Sequence, residues 1–152
     1  MYQPLRLLTL TSAAVLLVSC APIDTDRDRW SYCGRDVRVQ VTDLDMSPDP
    51  VSEGQRVRAW KVRLRADERT RCDTVLQIRE RPGNELVGRE RLSRLRGGVN
   101  EIEIEPVEGY RFSRDEHCFV VLANIEGTGR PVDAARRFCA RRISGKRWTL
   151  RG

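Results

Sequence analysis

Along most of this chain, apolar and polar residues alternate with a period of two. Val37, Val39 and Val41 are interleaved with Arg38 and Gln40 and predict a first strand. Ser47-Pro48-Asp49-Pro50 and Glu53-Gly54 mark the connection that follows. The clearest strand comes next: Trp60, Val62 and Leu64 face one way, while Lys61, Arg63 and Arg65 face the other. That is the pattern of an antiparallel sheet with one wet face. Val57 and Ala59 are out of phase with Trp60, which predicts a bulge or bend there. Cys72, Thr74, Leu76 and Ile78 form another inward set, closed by the turn signal Arg81-Pro82-Gly83-Asn84. Leu86 to Leu92 is a weaker strand ended by Gly97-Gly98, and Ile102 and Ile104 then alternate with Glu101, Glu103 and Glu105. Tyr110 and Phe112 lie in the corner before Cys118 to Ile125, an apolar run with the character of a central strand. Gly127-Thr128-Gly129-Arg130-Pro131 turns the chain into a last strand around Arg137 to Arg142, with Trp148 and Leu150 as its extension. No helical stripe is sustained and no repeat is visible. About seven short strands with frequent turns predict an all-β, antiparallel sandwich.

The N-terminus breaks this pattern. Arg6 precedes an uncharged apolar run from Leu7 to Val18, too short for a bilayer that needs roughly 20 residues. The run ends in Leu17-Val18-Ser19-Cys20, which resembles the lipobox of bacterial lipoproteins. The resemblance implies that residues 1–19 are a cleaved signal peptide and that Cys20 is lipidated, so the partner of the N-terminus is a membrane. Two or three acyl chains anchor stably, because each buried CH₂ adds about 0.8 kcal/mol. Ala21 stands where, in the enterobacterial pattern, an Asp would retain the protein at the inner membrane, so the expected location is the outer membrane, facing the periplasm. Residues 20–29 form a short polar tether with a reach of roughly 33 Å. Residues 30–152 are then one domain.

The net charge is +6, from 28 basic and 22 acidic residues, and removal of Arg6 with the leader makes it +5. Lys61 and Lys146 are the only lysines. Mixed charge at this density is ordinarily a solvated surface. A modest positive balance permits contact with anionic lipid head groups, lipopolysaccharide or cell-wall polymer. Nucleic acid is not an expected partner, since the chain lacks a basic stripe studded with aromatics.

Setting Cys20 aside leaves Cys33, Cys72, Cys118 and Cys139. Four cysteines in an exported domain read as two disulfides with three possible pairings. The preferred pairing is Cys72–Cys118 with Cys33–Cys139, which puts every member on a predicted strand and ties the chain ends together. Closing the first loop stabilises by about 4 kcal/mol on the chain-entropy account. Successive spacings of 39, 46 and 21 residues and a single histidine do not fit a zinc site, so no metal is expected.

From Val37 to Cys139 the chain resembles bacterial immunoglobulin-like and fibronectin-III-like domains, closest to the cell-adhesion-related type. The residues that carry this are Val39-Gln40-Val41-Thr42-Asp43, Pro48-Asp49-Pro50 and Glu53-Gly54 ahead of a charged strand. The resemblance implies an immunoglobulin-like sandwich and says little about function. The chain departs from true immunoglobulin domains: no Trp follows the first Cys by a dozen residues, and His117 rather than a Tyr-x-Cys corner precedes Cys118.

Chemistry is sparse. His117 as a general base would take Asp115 or Glu116 as orienter, but the plainer reading is a loop-to-strand residue beside a disulfide. No G-x-S-x-G elbow is present. Glu101, Glu103 and Glu105 read as a solvent face paired to arginines such as Arg89 and Arg91. Asp43-Leu44-Asp45 and the Asp24, Asp26, Asp28 series lack the Gly and terminal Glu of calcium loops. The best candidate contact face is Arg56, Arg58, Lys61, Arg63 and Arg65. The expected function is therefore a non-catalytic envelope lipoprotein, with no cofactor, that docks another envelope component through a sheet edge or basic face. The alternative is a binding module for an anionic glycan or lipid through the Arg-rich face. An enzyme would need a pocket that gathers His117 with a buried carboxylate.

Overall fold

The computed structural model describes residues 37–126, 132–133 and 137–151. The leader, Cys20, the tether, Cys33 and the turn at 127–131 lie outside the described residues. The described residues form ten strands and no helix: β1 (Val39–Ser47), β2 (Val51–Ser52), β3 (Ala59–Ala66), β4 (Thr74–Arg81), β5 (Glu85–Leu92), β6 (Gly98–Ile104), β7 (Glu116–Ile125), β8 (Val132–Asp133), β9 (Phe138–Ile143) and β10 (Arg147–Arg151). They make two antiparallel sheets. The smaller has the order β1-β3-β6; the larger runs β2-β10-β9-β7-β4-β5, with β8 also paired to β7.

Alternation places the side chains as the period of two requires. In β3, Trp60, Val62 and Leu64 are buried while Lys61, Arg63 and Arg65 are exposed. In β4, Thr74, Leu76 and Ile78 are buried, and Glu80 continues the same inward phase. In β7 the inward set is His117, Phe119, Val121, Ala123 and Ile125. The buried faces of both sheets share one core, in which the rings of Trp60 (β3) and Phe119 (β7) lie 5.0 Å apart. Trp60 Nε1 also donates to the Val87 carbonyl of β5 at 3.1 Å, so one indole both fills the core and ties the sheets.

The phase slip at Val57–Trp60 is present, with Val57, Ala59 and Trp60 all buried, but it falls at the start of β3 and puts no bulge in its ladders. Every residue of β3 is paired from Ala59 to Ala66 on the β1 side and from Trp60 to Ala66 on the β6 side. Its neighbour β1 carries a bulge instead: Val41 pairs with Leu64 and Asp43 with Arg63, leaving Thr42 extra. The extra residue resets the phase, so Val39 and Val41 before it and Leu44 and Met46 after it all reach the core. This is why alternation alone ended the first strand at Val41. Trp148 and Leu150 do not extend the last predicted strand but belong to a strand of their own. Gly145 and Lys146, with φ of 76° and 55°, reverse the chain between β9 and β10.

The disulfides also differ from expectation. Cys118 bonds to Cys139, not to Cys72, and so Cys33 cannot take Cys139. The register decides this: Cys118 and Cys139 sit directly opposite on β7 and β9, with their Cα atoms 4.1 Å apart, the close approach of a cross-strand pair. Both lie half-buried, on the side of the larger sheet away from the core. The bridge therefore staples neighbouring strands within one sheet. Cys72, in contrast, is fully buried in the core and is itself disulfide-bonded.

Candidate functional site

The polar cluster of greatest chemical interest lies at one end of the core, where the β6–β7 connection folds back over the sheets. Glu80, near the end of β4, and His117, second in β7, are both buried because each holds an inward position on its strand. Register places Glu80 opposite Phe119, two residues from His117 on the same face. The His117 Nδ1 atom lies 2.6 Å from Glu80 Oε1. The other ring nitrogen, Nε2, accepts the backbone N–H groups of Ser113 and Arg114 at 3.0 and 2.9 Å. Because Nε2 faces two donors, the proton belongs on Nδ1, which donates to the carboxylate.

Glu80 is surrounded by donors. Oε1 also accepts from the Arg114 guanidinium, and Oε2 accepts from the Tyr110 hydroxyl at 3.0 Å. Burial, reinforced by the Glu80 carboxylate, holds the Tyr110 hydroxyl above its usual titration range, so it stays a donor. Aromatic contacts enclose the cluster: Phe112 meets the imidazole edge-on at 5.0 Å and stacks on Trp148 at 5.7 Å. Trp148 Nε1 donates to the Arg114 carbonyl at 2.7 Å, and Arg142 covers the indole at 5.1 Å.

A recess of about 490 Å³ opens over this cluster, lined by Glu80, Glu85, Tyr110, Arg114 and His117 among others. It gathers His117 with a buried carboxylate, the composition an active site would need. Availability is another matter. Both imidazole nitrogens and both carboxylate oxygens are spent on protein partners, and among the described residues no buried side-chain polar atom lacks one. A general base needs a free lone pair within reach of the substrate proton. In this geometry the cluster is a strut that pins residues 110–117 to the sheets. Asp115 and Glu116, which a general-base reading of His117 would take as orienters, instead pair with Arg142 and Arg141. The orienter is Glu80. Its signal was present in the sequence, since it continues the inward phase of Leu76 and Ile78.

The candidate contact face is divided. Lys61, Arg63 and Arg65 do share the outer face of β3, but β3 is the middle strand of its sheet. Register puts Asp43 and Glu101 on either side of Arg63, and Asp45 and Glu103 on either side of Lys61. Arg63 donates two hydrogen bonds to Glu101 Oε1, at 2.8 and 3.1 Å. Three bases thus stand among four acids. Register sets Glu101 beside Arg63 and Glu103 beside Lys61, not beside Arg89 and Arg91, and Arg63 closes an ion pair to Glu101; Arg91 binds Asp73. Arg56 and Arg58 lie apart, exposed in the segment before β3 and lining a recess with Glu105 and Glu108. The stripe read as Arg-rich is a charge-alternating lattice.

Glu116, Cys118 and Cys139 bring three ligand-type atoms within 4.8 Å of one another, but the two sulfurs are bonded to each other and neither is a thiolate. Comparison with protein families finds no family model that matches the chain, and comparison with curated proteins finds no significant match.

Proposed function

We propose that this chain is a lipid-anchored protein of the bacterial envelope whose immunoglobulin-like β-sandwich docks another envelope component and catalyses no reaction. The lipobox-like Leu17-Val18-Ser19-Cys20 supplies the anchor, with residues 1–19 removed, and Ala21 in place of an inner-membrane retention Asp favours the outer membrane, facing the periplasm. Two antiparallel sheets around one core, with the Cys118–Cys139 disulfide stapling neighbouring strands of the larger, suit an oxidising compartment. The single observation that carries the docking role is the strand order, which among the described residues leaves β1 and β6 as the unpaired edges of the three-stranded sheet, while the most chemical-looking cluster is consumed internally. Sheet edges recruit partners through main-chain hydrogen bonds. The acids flanking Lys61 and Arg63 leave the reading of an anionic glycan or lipid ligand without an unopposed cationic column.

Fractionation and cross-linking in the native host test the proposal. The protein should sediment with outer membranes, the Cys20→Ser variant should not, and in-cell cross-linking should recover a stoichiometric protein partner. Recovery of no partner from intact envelopes, in repeated experiments, overturns the docking role.

A further inference from the structure

Among the described residues, three of the four sheet edges carry a device that discourages pairing. β1 has the bulge at Thr42, β2 is two residues long, and β5 is bulged between Ile78 and Arg79 of its partner and bridged by Pro106 at Gly88. β6 has neither bulge nor Pro: its seven residues pair with β3 without a register shift, and its charged residues are the outward-facing Glu101 and Glu103. Its outer face presents Val99, 61% exposed, then Glu101 and Glu103. On its inner face Ile102 is only partly buried and packs against the core from the margin.

We propose that β6 is the docking strand, and that its occupant is an extended segment of an envelope protein in which basic residues alternate with apolar ones. Charge complementarity selects this occupant. Across the sheet the outer face already runs acid, base, acid through Asp43, Arg63 and Glu101, and through Asp45, Lys61 and Glu103. A basic column is the next complementary step. Glu101 accepts both Arg63 hydrogen bonds on Oε1, which leaves Oε2 to a newcomer, and Glu103 has no ion pair within 4 Å among the described residues. Apolar residues on the other face of the added strand would cover Ile102. A second copy of the chain is disfavoured, because antiparallel β6–β6 pairing would set Glu101 and Glu103 against their own kind.

The inference rests on the docking role and narrows it to one strand. The test uses the full chain purified from its host in detergent, with two eight-residue probes, one alternating Lys and Val and one alternating Glu and Val. The Lys-Val peptide should bind at least about tenfold more tightly at low salt. It should slow hydrogen exchange across residues 98–104, and the E101K/E103K variant should invert the preference. Equal binding of the two peptides, unchanged exchange in β6 at saturation, or a preference that survives the charge swap would each overturn it. So would a dimer with β6 protected in the absence of peptide. In cells, a photo-cross-linker at Val99 should capture the partner; capture only from other surfaces removes the β6 assignment and leaves the docking role standing.

Discussion

His117 and Glu80 are 37 residues apart in sequence, yet the imidazole Nδ1 meets the carboxylate at 2.6 Å. The carboxylate fixes which nitrogen carries the proton, and the opposite nitrogen then serves as acceptor for the Ser113 and Arg114 amides. One ring thereby holds a strand, a loop and a buried charge in register.

His117→Ala removes that ring and leaves two loop amides and one side of Glu80 without partners. Each buried polar group so orphaned costs about 1–3 kcal/mol, so the variant should lose about 3 kcal/mol of unfolding free energy. The Arg141→Ala variant, which breaks the exposed pair with Glu116, should lose less than about 1 kcal/mol. Urea titration of the three proteins decides this. Losses of equal size would show that the imidazole is not the strut.

Tyr110 gives a pH signature. Its hydroxyl ionises above its usual range in the fold, chiefly because it is buried and secondarily because Glu80 accepts from it. A raised folded value means that its contribution is fully present below the unfolded value of about 10 and is lost as pH rises past it. There the unfolded chain holds fewer protons than the native one, and stability falls by about 1.4 kcal/mol per pH unit. Tyr110→Phe should be less stable at neutral pH but lose this alkaline slope. A slope unchanged by the substitution would assign it to other groups.

Alternation was a sufficient guide wherever a strand has one wet face, as in β3, and it already contained Glu80 and His117 as inward positions. What it could not supply was strand order. The sequence shows Glu101 and Arg63 as charges on two strands, and only the β3–β6 pairing makes them partners. The same gap produced the wrong disulfides, since several pairings place cysteines on strands but only one puts Cys118 across from Cys139. The Thr42 bulge was hidden because an extra residue looks like the end of a strand in a period-two pattern.

Gly88 is required for a reason of space. A Cβ there would stand 3.0 Å from Trp60 Cδ1, 3.2 Å from Ile104 Cγ2 and 3.3 Å from Ile78 Cδ1, atoms drawn from both sheets. Trp60 cannot retreat without giving up its hydrogen bond to the Val87 carbonyl. Gly88→Ala should therefore destabilise by about 1–3 kcal/mol, the usual cost of overpacking. Its near-ultraviolet tryptophan signal should also change. Gly54→Ala is the contrast: no atom lies within 4 Å of the added Cβ, but φ is +75°, so any loss there comes from backbone strain with the aromatic signal intact. An unperturbed Gly88→Ala protein would show that the sheets close less tightly than the structure has them.

Thiol accounting links the fold to the anchor. The chain has five cysteines; Cys118 and Cys139 bond to each other and Cys72 is also disulfide-bonded, which leaves Cys20 and Cys33 in the sequence as the candidates for its partner. Lipidation at Cys20 requires that partner to be Cys33. A non-reducing tryptic digest of protein from the native host should yield a linked Cys33–Cys72 peptide, a linked Cys118–Cys139 peptide and an acylated peptide beginning at Cys20. The C118S/C139S double variant should lose about 3 kcal/mol on the chain-entropy account for a separation of 21 residues, since the bridge constrains the unfolded chain rather than filling the core. A Cys20–Cys72 peptide would remove the anchor at a stroke, because a sulfur bonded to the core cannot also carry an acyl-glycerol group.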